Sequence, residues 1–275
     1  MPPERLQLGR VDFPHALKER RAARRLSQLE LALQAGTTQR HLSFIESGRS
    51  VPGREMVIRL AESLTLPLRE RNELLLKAGY APAYPETALD SPDLVPVLGA
   101  LTHILDAHMP YPAIVIDRYG AIVAANAGLR ILADGCAEHL RANAYRLALH
   151  PDGMAPRVGN FAEWAWHVLN GIAAELARNP DERLAALHAE LSRYVPPART
   201  APGHLGFAVP LQLRTPYGEL RLMTTISSFA NAVDVTVSEL KLEAFLPADQ
   251  ATSAALARAA QDGPAAPADR GARGA

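Results

Sequence analysis

The chain has 275 residues, enough for about two domains of ordinary size, and its 48% apolar content supports sizeable cores. Its single cysteine, Cys136, excludes an internal disulfide framework and fits a reducing cytoplasm; no run approaches the roughly 18 apolar residues of a membrane span, and the polar opening MPPERLQLGR does not read as a signal peptide. The zero net charge hides an asymmetry: residues 1–86 hold 14 Lys+Arg against 10 Asp+Glu, a net of +4, while the remainder holds 15 against 19, a net of −4.

From residue 14 to 78 the pattern is helix after helix with short breaks and no convincing strand. The first helix, about 14–25, can bury Phe13 and Leu17 and leaves Lys18, Arg20, Arg21, Arg24 and Arg25 as a basic surface. Ser27-Gln28-Leu29-Glu30 is a capping box, in which the serine hydroxyl takes an orphan backbone N–H and the glutamate reaches back, so a second helix starts at Gln28. Leu31, Ala32 and Ala35 form its buried stripe, and Gly36 ends it. Thr38 caps a third helix that turns Leu42 and Ile45 inward, leaves Gln39, Arg40, His41, Ser43 and Phe44 on or near its outer face, and closes at Gly48. Helices near 54–64 and 68–78 complete a five-helix bundle, with Met56, Ile58, Leu60, Ala61, Leu64, Leu74 and Leu75 as core candidates.

Two short helices separated by a four-residue break, the second lined with polar and basic groups, are a helix-turn-helix, whose second helix enters the major groove of DNA. Gln can pair with adenine and Arg with guanine in two places each. Gln28 sits at a helix N-terminus, where backbone N–H groups favour a phosphate. Arg49, Ser50 and Arg54 follow the third helix and can hold the flanking backbone. The expected contact set is Gln28, Thr38, Gln39, Arg40, His41, Ser43, Arg49 and Arg54.

Residues 81–93 are rich in proline and poor in large apolar groups, and read as a linker. Beyond them the pattern changes. Residues 112–117 and 120–126 read as two strands around Arg118-Tyr119-Gly120, helices dominate to about 194, and a Pro/Gly-rich break covers 196–206. Residues 207–215 and 218–227 read as a hairpin around Pro216-Tyr217. Residues 238–246 are a fifth candidate strand, because Leu240, Leu242 and Ala244 alternate with charged residues; a helix competes for the same stretch. From 250 the chain is rich in Ala, Gly and Pro and is expected to fray, although 251–260 can form a short helix. The resulting division is 1–80, a linker at 81–93, 94–250, and a largely flexible tail at 251–275.

In the second domain the apolar faces must build a core and can also wall a pocket, which for small molecules is mostly apolar with a few placed polar groups. The candidates are Ile114, Ile116, Ile122, Asn126, Leu132, Phe161, Trp164, Val168, Leu213 and Leu222, with Asn160, His150, Trp166 and His167 as further polar groups. Trp164 and Trp166 lie two apart on a helix, so at most one faces a given pocket. Pro151-Asp152-Gly153 beside His150 is first a turn. No metal is expected, and no residue marks haem or flavin, so no cofactor is expected either. No nucleophile–base pairing or phosphate loop stands out, and the chain does not read as an enzyme.

Two resemblances sharpen this reading. Ser27-Gln28, Ala32, Gly36, Thr38, Leu42-Ser43 and Glu46-Ser47-Gly48 resemble the Xre family of bacterial regulators, related to phage Cro and C1 repressors, with Leu42 where isoleucine is common. That resemblance implies that Gln28 contacts the DNA backbone or a base, that Thr38, Gln39, Arg40 and Ser43 form the reading face, and that Glu46 braces the bundle. Five strands with helices between the second and third resemble a PAS-type fold. The wording of residues 110–126, 146–169 and 234–249 is similar to the sensor domain of MmyB-like transcription regulators, and with the Xre part the resemblance covers about 12–255. It implies a PAS-like α+β domain whose antiparallel sheet cups a small, largely apolar, fatty-acid-like molecule. The expectation is therefore an all-α five-helix Cro/C1-type domain followed by an α+β PAS-like domain: a homodimeric, cytoplasmic transcription regulator that binds double-stranded operator DNA and not membranes. The alternative is a second domain that serves only dimerisation or protein–protein contact.

Overall fold

A computed structural model describes residues 13–178, 180–196, 209–229 and 231–262. The break expected at 196–206 and the last stretch of the tail lie almost wholly outside the described residues. The chain forms two compact units, Met1–Asp90 with Ala230–Ser238, and Ser91–Phe229 with Glu239–Ala275.

The first unit carries α1 (Phe13–Ala23), α2 (Gln28–Gln34), α3 (Gln39–Glu46), α4 (Arg54–Ser63) and α5 (Leu68–Lys77). The capping box is closed: the Ser27 hydroxyl accepts from the Glu30 N–H at 3.2 Å, and the Ser27 N–H donates to Glu30 Oε2 at 2.7 Å. The Ser27 N–H, with the Ser27 side chain beside it, holds the Glu30 carboxyl below its ordinary pKa. Gly36 follows α2 at φ +64°, which only glycine adopts without strain, and turns the chain into the Thr38 cap of α3. Leu17, Leu31, Leu42, Ile45, Leu60, Leu64, Leu74 and Leu75 are fully buried in one cluster. Val57 holds the core place on α4, and Met56 and Ile58 flank it half-buried, because a helix presents one stripe rather than consecutive positions.

The expected linker is partly fastened. The Asn72 side chain on α5 accepts from the N–H groups of Ala83 and Tyr84, and donates to the Tyr84 carbonyl at 2.7 Å. Thr87 donates its N–H and its hydroxyl to Asp234.

The second unit begins with a 3-10 turn at Pro92–Leu94 and α6 (Val95–Ala107). It continues with β1 (Ala113–Ile116), β2 (Ile122–Ala125), α7 (Leu129–Ala133), α8 (Ala144–Leu149), α9 (Phe161–Arg178), α10 (Glu182–Ser192), β3 (Leu211–Thr215) and β4 (Gly218–Ser228). A short helix α11 (Val235–Glu239), β5 (Lys241–Pro247) and α12 (Gln250–Gln261) follow. The sheet is antiparallel throughout, in the order β2-β1-β5-β4-β3. The strand reading of β5 prevails over the helical one because β5 pairs on both edges, with β1 and with β4. Helix α6 packs against β1 and β2, while α8, α9 and α10 join the large core that includes Ile114, Leu220 and Phe245. Composition alone suggested fraying after 250. Instead Asp249 caps α12, which buries Ala255, Leu256 and Ala259 in that core.

Candidate functional site

The outer edge of α3 is the first candidate surface. Gln39 and Arg40 are exposed at its start, Thr38 is exposed as its cap, and Ser43 is half-buried one turn on. The Arg40 guanidinium lies 5.5 Å from the Phe44 ring centre, which pre-orders a long side chain without pairing its charge. Arg49 and Arg54 are exposed beyond the helix. His41 is less available than the helical wheel suggests, because its Nδ1 lies 2.9 Å from the Thr37 hydroxyl and its backbone N–H donates to Thr38. Gln28 is also braced: its amide donates to Glu46 Oε2 at 2.7 Å.

Glu46 is the centre of that brace. Arg21 donates to its two oxygens at 2.7 and 2.9 Å, and that hydrogen bonding raises the guanidinium pKa against the opposing effect of burial. The basic surface expected on α1 is correspondingly smaller. Arg21 turns into the bundle, and Arg20 pairs with Glu70 at 3.3 Å and with Glu73 at 3.1 Å. Burial pushes the Glu70 carboxyl up despite Arg20 beside it. The acidic partners on α3 and α5 lie 25 and about 50 residues away in sequence, which local spacing does not reveal.

The second candidate site is a cavity of about 430 Å³ between the sheet and helices α8, α9 and α10. Of the ten expected residues, Ile114, Leu132, Trp164 and Val168 line it. The other six do not. Ile116 is fully buried in the core, and Ile122 and Phe161 pack half-buried against it. Leu213 and Leu222 are buried in the core within the paired part of the β3–β4 hairpin, and β4 contributes to the wall beyond that ladder, through Thr224 and Ile226. Asn126 is a structural tie. Its Oδ1 accepts from Ala113 and Gly128, and its Nδ2 donates to the carbonyls of Leu105 and Tyr111. Asn160 is similarly consumed by Pro210 and Gln212. Of the two tryptophans Trp164 is buried in the cavity wall and Trp166 is partly exposed, as their spacing on a helix requires.

Sequence reasoning missed the charged part of the wall: Arg118, Tyr145, Glu175, Arg178, Lys241 and Glu243. Arg118 sits in the β1–β2 turn, 3.5 Å from Asp181 and 3.4 Å from Glu239. In that turn Asp117 accepts from the Tyr119 and Ala121 N–H groups, and Gly120 adopts φ +77°. A Cβ at Gly120 would lie 2.3 Å from the Tyr145 ring, so the glycine is what lets Tyr145 settle into the wall. Glu243 lies opposite Ile114 on β1 and Ile226 on β4, and burial among such neighbours raises its carboxyl pKa, with Lys241 opposing. Burial and the nearby carboxylates of Glu243, Glu175 and Asp117 raise the Tyr145 phenol. The alternation in β5 was visible, but its charged face reads as solvent-facing in sequence; Leu242 and Ala244 are buried on one face, and the half-buried Lys241 and Glu243 on the other line the cavity.

Residues 97–259 match the family described as MmyB-like transcription regulator ligand binding domain. The chain belongs to the MmyB-like transcription regulators. Residues 17–71 of this regulator match the helix-turn-helix family, which covers α2, α3 and their brace. It is thus a helix-turn-helix DNA-binding regulator with a ligand-binding domain, and neither matched family is an enzyme family. No curated protein matches the chain. Among solved structures, an RNA-binding light-oxygen-voltage receptor is similar at 16% identity and a TM-score of 0.26, over 91% of this chain and 64% of that one. Among the described residues, no helix is long and apolar enough to cross a membrane, and no group of three or more His, Cys, Asp or Glu is placed to hold a metal ion.

Proposed function

We propose that this regulator binds operator DNA as a cytoplasmic homodimer. In this reading α3 lies in the major groove, where Gln39, Arg40 and Ser43 read bases with Thr38 and the half-buried His41 at the groove edge. Gln28, Arg49 and Arg54 hold phosphates. A small, largely apolar molecule in the second unit modulates that binding, and fatty-acid-like compounds are the first class to test.

The observation that carries this reading is the cavity of about 430 Å³, whose wall is mostly apolar with a few charged groups. Its size falls within the roughly 300–1,000 Å³ of small-molecule sites. The route for modulation runs along the chain itself. Strands β4 and β5 both contribute to the wall, and the residues that join them are grouped with the helix-turn-helix unit. In that joining segment the Asp234 carboxylate accepts from Thr87, and the Val235 N–H donates to the Pro85 carbonyl at 2.8 Å. A ligand that displaces the strand ends therefore pulls on a segment fastened near α5. Such coupling requires that the ligand favour one of two arrangements.

Native mass spectrometry of the full-length protein, with band-shift assays on its own promoter region before and after delipidation, tests the proposal. Expected are a dimer carrying a bound apolar molecule and a change in DNA affinity when that molecule is removed. A dimer that shifts DNA identically in both states, with no molecule ever bound, overturns the ligand half and favours a domain that serves only association. Failure to shift any promoter fragment at low salt overturns the DNA half.

A further inference from the structure

The cavity has two unlike ends, and the sheet register identifies them. Strand β5 runs from Lys241 to Pro247, about 20 Å of extended chain. At its start Lys241 lies opposite Ile116, two residues before Arg118, and Arg118 donates to Glu239, two residues before Lys241. At its far end Pro247 lies opposite Leu222, and Leu222 opposite Leu211 on β3. There Asn160 donates to the Pro210 carbonyl and accepts from the Gln212 N–H. Asn160 immediately precedes α9, so Trp164 in the first turn of that helix stands at the Pro247 end, near Phe245. Helix α9 finishes at Arg178, three residues before Asp181, which pairs with Arg118 at the Lys241 end. Arg118, Lys241, Arg178, Trp164 and Phe245 all line the cavity. Its three cations therefore gather at one end, and its aromatic side chains Trp164 and Phe245 stand toward the other.

At the cationic end Arg118 has bonding capacity to spare. It is only 8% exposed, and its guanidinium carries five N–H donors. Its Nη1 donates to Glu239 at 3.4 Å and its Nη2 lies 3.5 Å from Asp181, but its buried Nε has no hydrogen-bond partner. Asp181 is already taken by the Leu184 N–H at 2.8 Å and the Tyr119 hydroxyl at 3.1 Å. The Tyr119 ring, 5.3 Å from the guanidinium carbon, closes a further side. These neighbours hold the guanidinium in place and ionised without serving Nε. A buried donor left without an acceptor is costly, and an ionised acceptor serves a guanidinium best. The two carboxylates of the cavity wall do not serve it either: Glu175 pairs with Arg178 at 3.0 Å, and Glu243 stands half-buried two residues along β5 from Lys241.

We infer that Arg118 anchors the head group of the ligand: a carboxylate on an apolar chain lies lengthwise in the cavity, accepts from Arg118 Nε with Lys241 beside it, and extends its tail toward Phe245 and Trp164. The inference rests on the ligand-binding reading above, and gives that ligand an orientation and a specificity-determining residue. An ester carbonyl offers Nε an acceptor without the charge. An ammonium head brings a like charge to Arg118 and Lys241. The anchor therefore ranks carboxylates above esters, and esters above amines, at equal chain length.

The test uses delipidated full-length protein at pH 7.5 with sodium dodecanoate, methyl dodecanoate and dodecylamine, binding being read from the shift in melting temperature and from tryptophan fluorescence. Expected is dodecanoate binding at least about tenfold tighter than the ester, the size of effect of one hydrogen bond to a charged group. Arg118→Lys keeps a positive charge for Asp181 and Glu239 but lacks the guanidinium, and should bring dodecanoate close to the ester. Lys241→Met should cost dodecanoate less than Arg118→Lys does. Orientation is read in the unmodified protein, whatever the variants do to folding. Both tryptophans lie in the first two turns of α9, and bromine quenches on contact, so 12-bromododecanoate should quench more strongly than 2-bromododecanoate.

Stronger quenching by the 2-bromo acid overturns the orientation and with it the inference. So does a dodecanoate preference that survives Arg118→Lys in a variant shown to fold by circular dichroism, or one that is lost with Lys241→Met instead. If the three probes bind alike in the unmodified protein, the ligand-binding reading stands and only the anchor falls. Failure of every probe to bind overturns both.

Discussion

Both units of this regulator bury charged atoms without a hydrogen-bond partner, Arg20 Nε and Glu70 Oε1 in the first and Arg118 Nε in the second, but they differ at their candidate sites. In the helix-turn-helix unit Arg21, Gln28 and Glu46 close on one another within 2.9 Å, and the surface that faces outward is left to Arg40, Arg49 and Arg54. In the second unit Glu243 and Tyr145 are held at a cavity wall with no bonded partner among the described residues. A unit that must present a fixed edge to a fixed partner uses its polar groups to stiffen itself. A unit that accepts a separate molecule keeps polar groups in reserve. The contrast follows from the energetics: a satisfied buried pair specifies geometry, whereas an unsatisfied one favours whatever binds it.

The sharpest way to break the comparison is to unbalance the brace. Glu46→Ala leaves the largely buried Arg21 without its carboxylate and Gln28 without its acceptor, and is expected to destabilise the first unit by about 3 kcal/mol, as for breaking one side of a buried pair. The urea midpoint measures it. Arg21→Met with Glu46→Leu should recover most of that loss, because removing both charges leaves nothing unpaired. A single-variant loss below about 0.5 kcal/mol, the range of an exposed pair, would place the brace among ordinary surface contacts.

The outward arginines come next. Arg40→Ala should weaken cognate operator binding by about 1–3 kcal/mol with little effect on random DNA, the pattern for base contact. Arg49→Ala should weaken both alike and lower the salt slope by about one. Titrations at several salt concentrations separate the two. Equal losses on cognate and random DNA for both variants would remove the distinction between reading and anchoring residues.

The same contrast governs what was legible in the sequence. The helix-turn-helix unit is built from local rules, so Ser27, Glu30, Gly36 and Thr38 announced their caps and turns, and Leu42 and Ile45 their inward face, within a few residues. Its long-range ion pairs were not legible, because nothing near Arg21 points to Glu46. In the second unit the strands were readable from alternation, but the cavity was not. Ile114 and Leu213 look alike as inward apolar residues, and only the sheet order and the placement of α8 and α9 put one in the wall and the other in the core. Glu243 was invisible for a related reason. Alternation tells which residues share a face, and not whether a helix stands over it.

The joining segment between β4 and β5 offers a smaller effect with a pH signature. Asp234 caps α11 through the Val237 N–H and accepts both bonds from Thr87. Burial alone would raise its pKa, but the Thr87 hydroxyl and the backbone N–H groups outweigh it and hold the carboxyl below its ordinary value of 3.8. A depressed folded pKa gives stability that is present above the ordinary value and lost as pH falls through the folded one. Asp234→Ala should therefore cost about 1 kcal/mol at neutral pH, as for loss of a helix cap, and the difference from the unmodified protein should hold to pH 5 and close below the ordinary 3.8. Denaturant melts across that range check it. If the segment is also the route of modulation, the variant should reduce the ligand's effect on DNA affinity while leaving ligand binding itself intact.

The smallest expected effect on stability addresses the cavity directly. Gly171 lies within α9 and in the cavity wall, and a Cβ built on it meets nothing within 4 Å. Gly171 is exposed, and Gly in a helix interior is destabilising by about 0.5–1 kcal/mol relative to Ala. Gly171→Ala should therefore stabilise the protein by about that amount, read as a small rise in melting temperature of the delipidated form. Gly171→Leu should stabilise it no less, because Gly171 is exposed at the cavity rim and its Cβ meets open space rather than packed atoms, and it should hinder any molecule that enters past that rim. Stability gained together with binding lost is the signature of a cavity kept open for a ligand. Stability lost in Gly171→Leu would mean that the space is already needed by neighbouring side chains, and the two units would then differ less than their charges suggest.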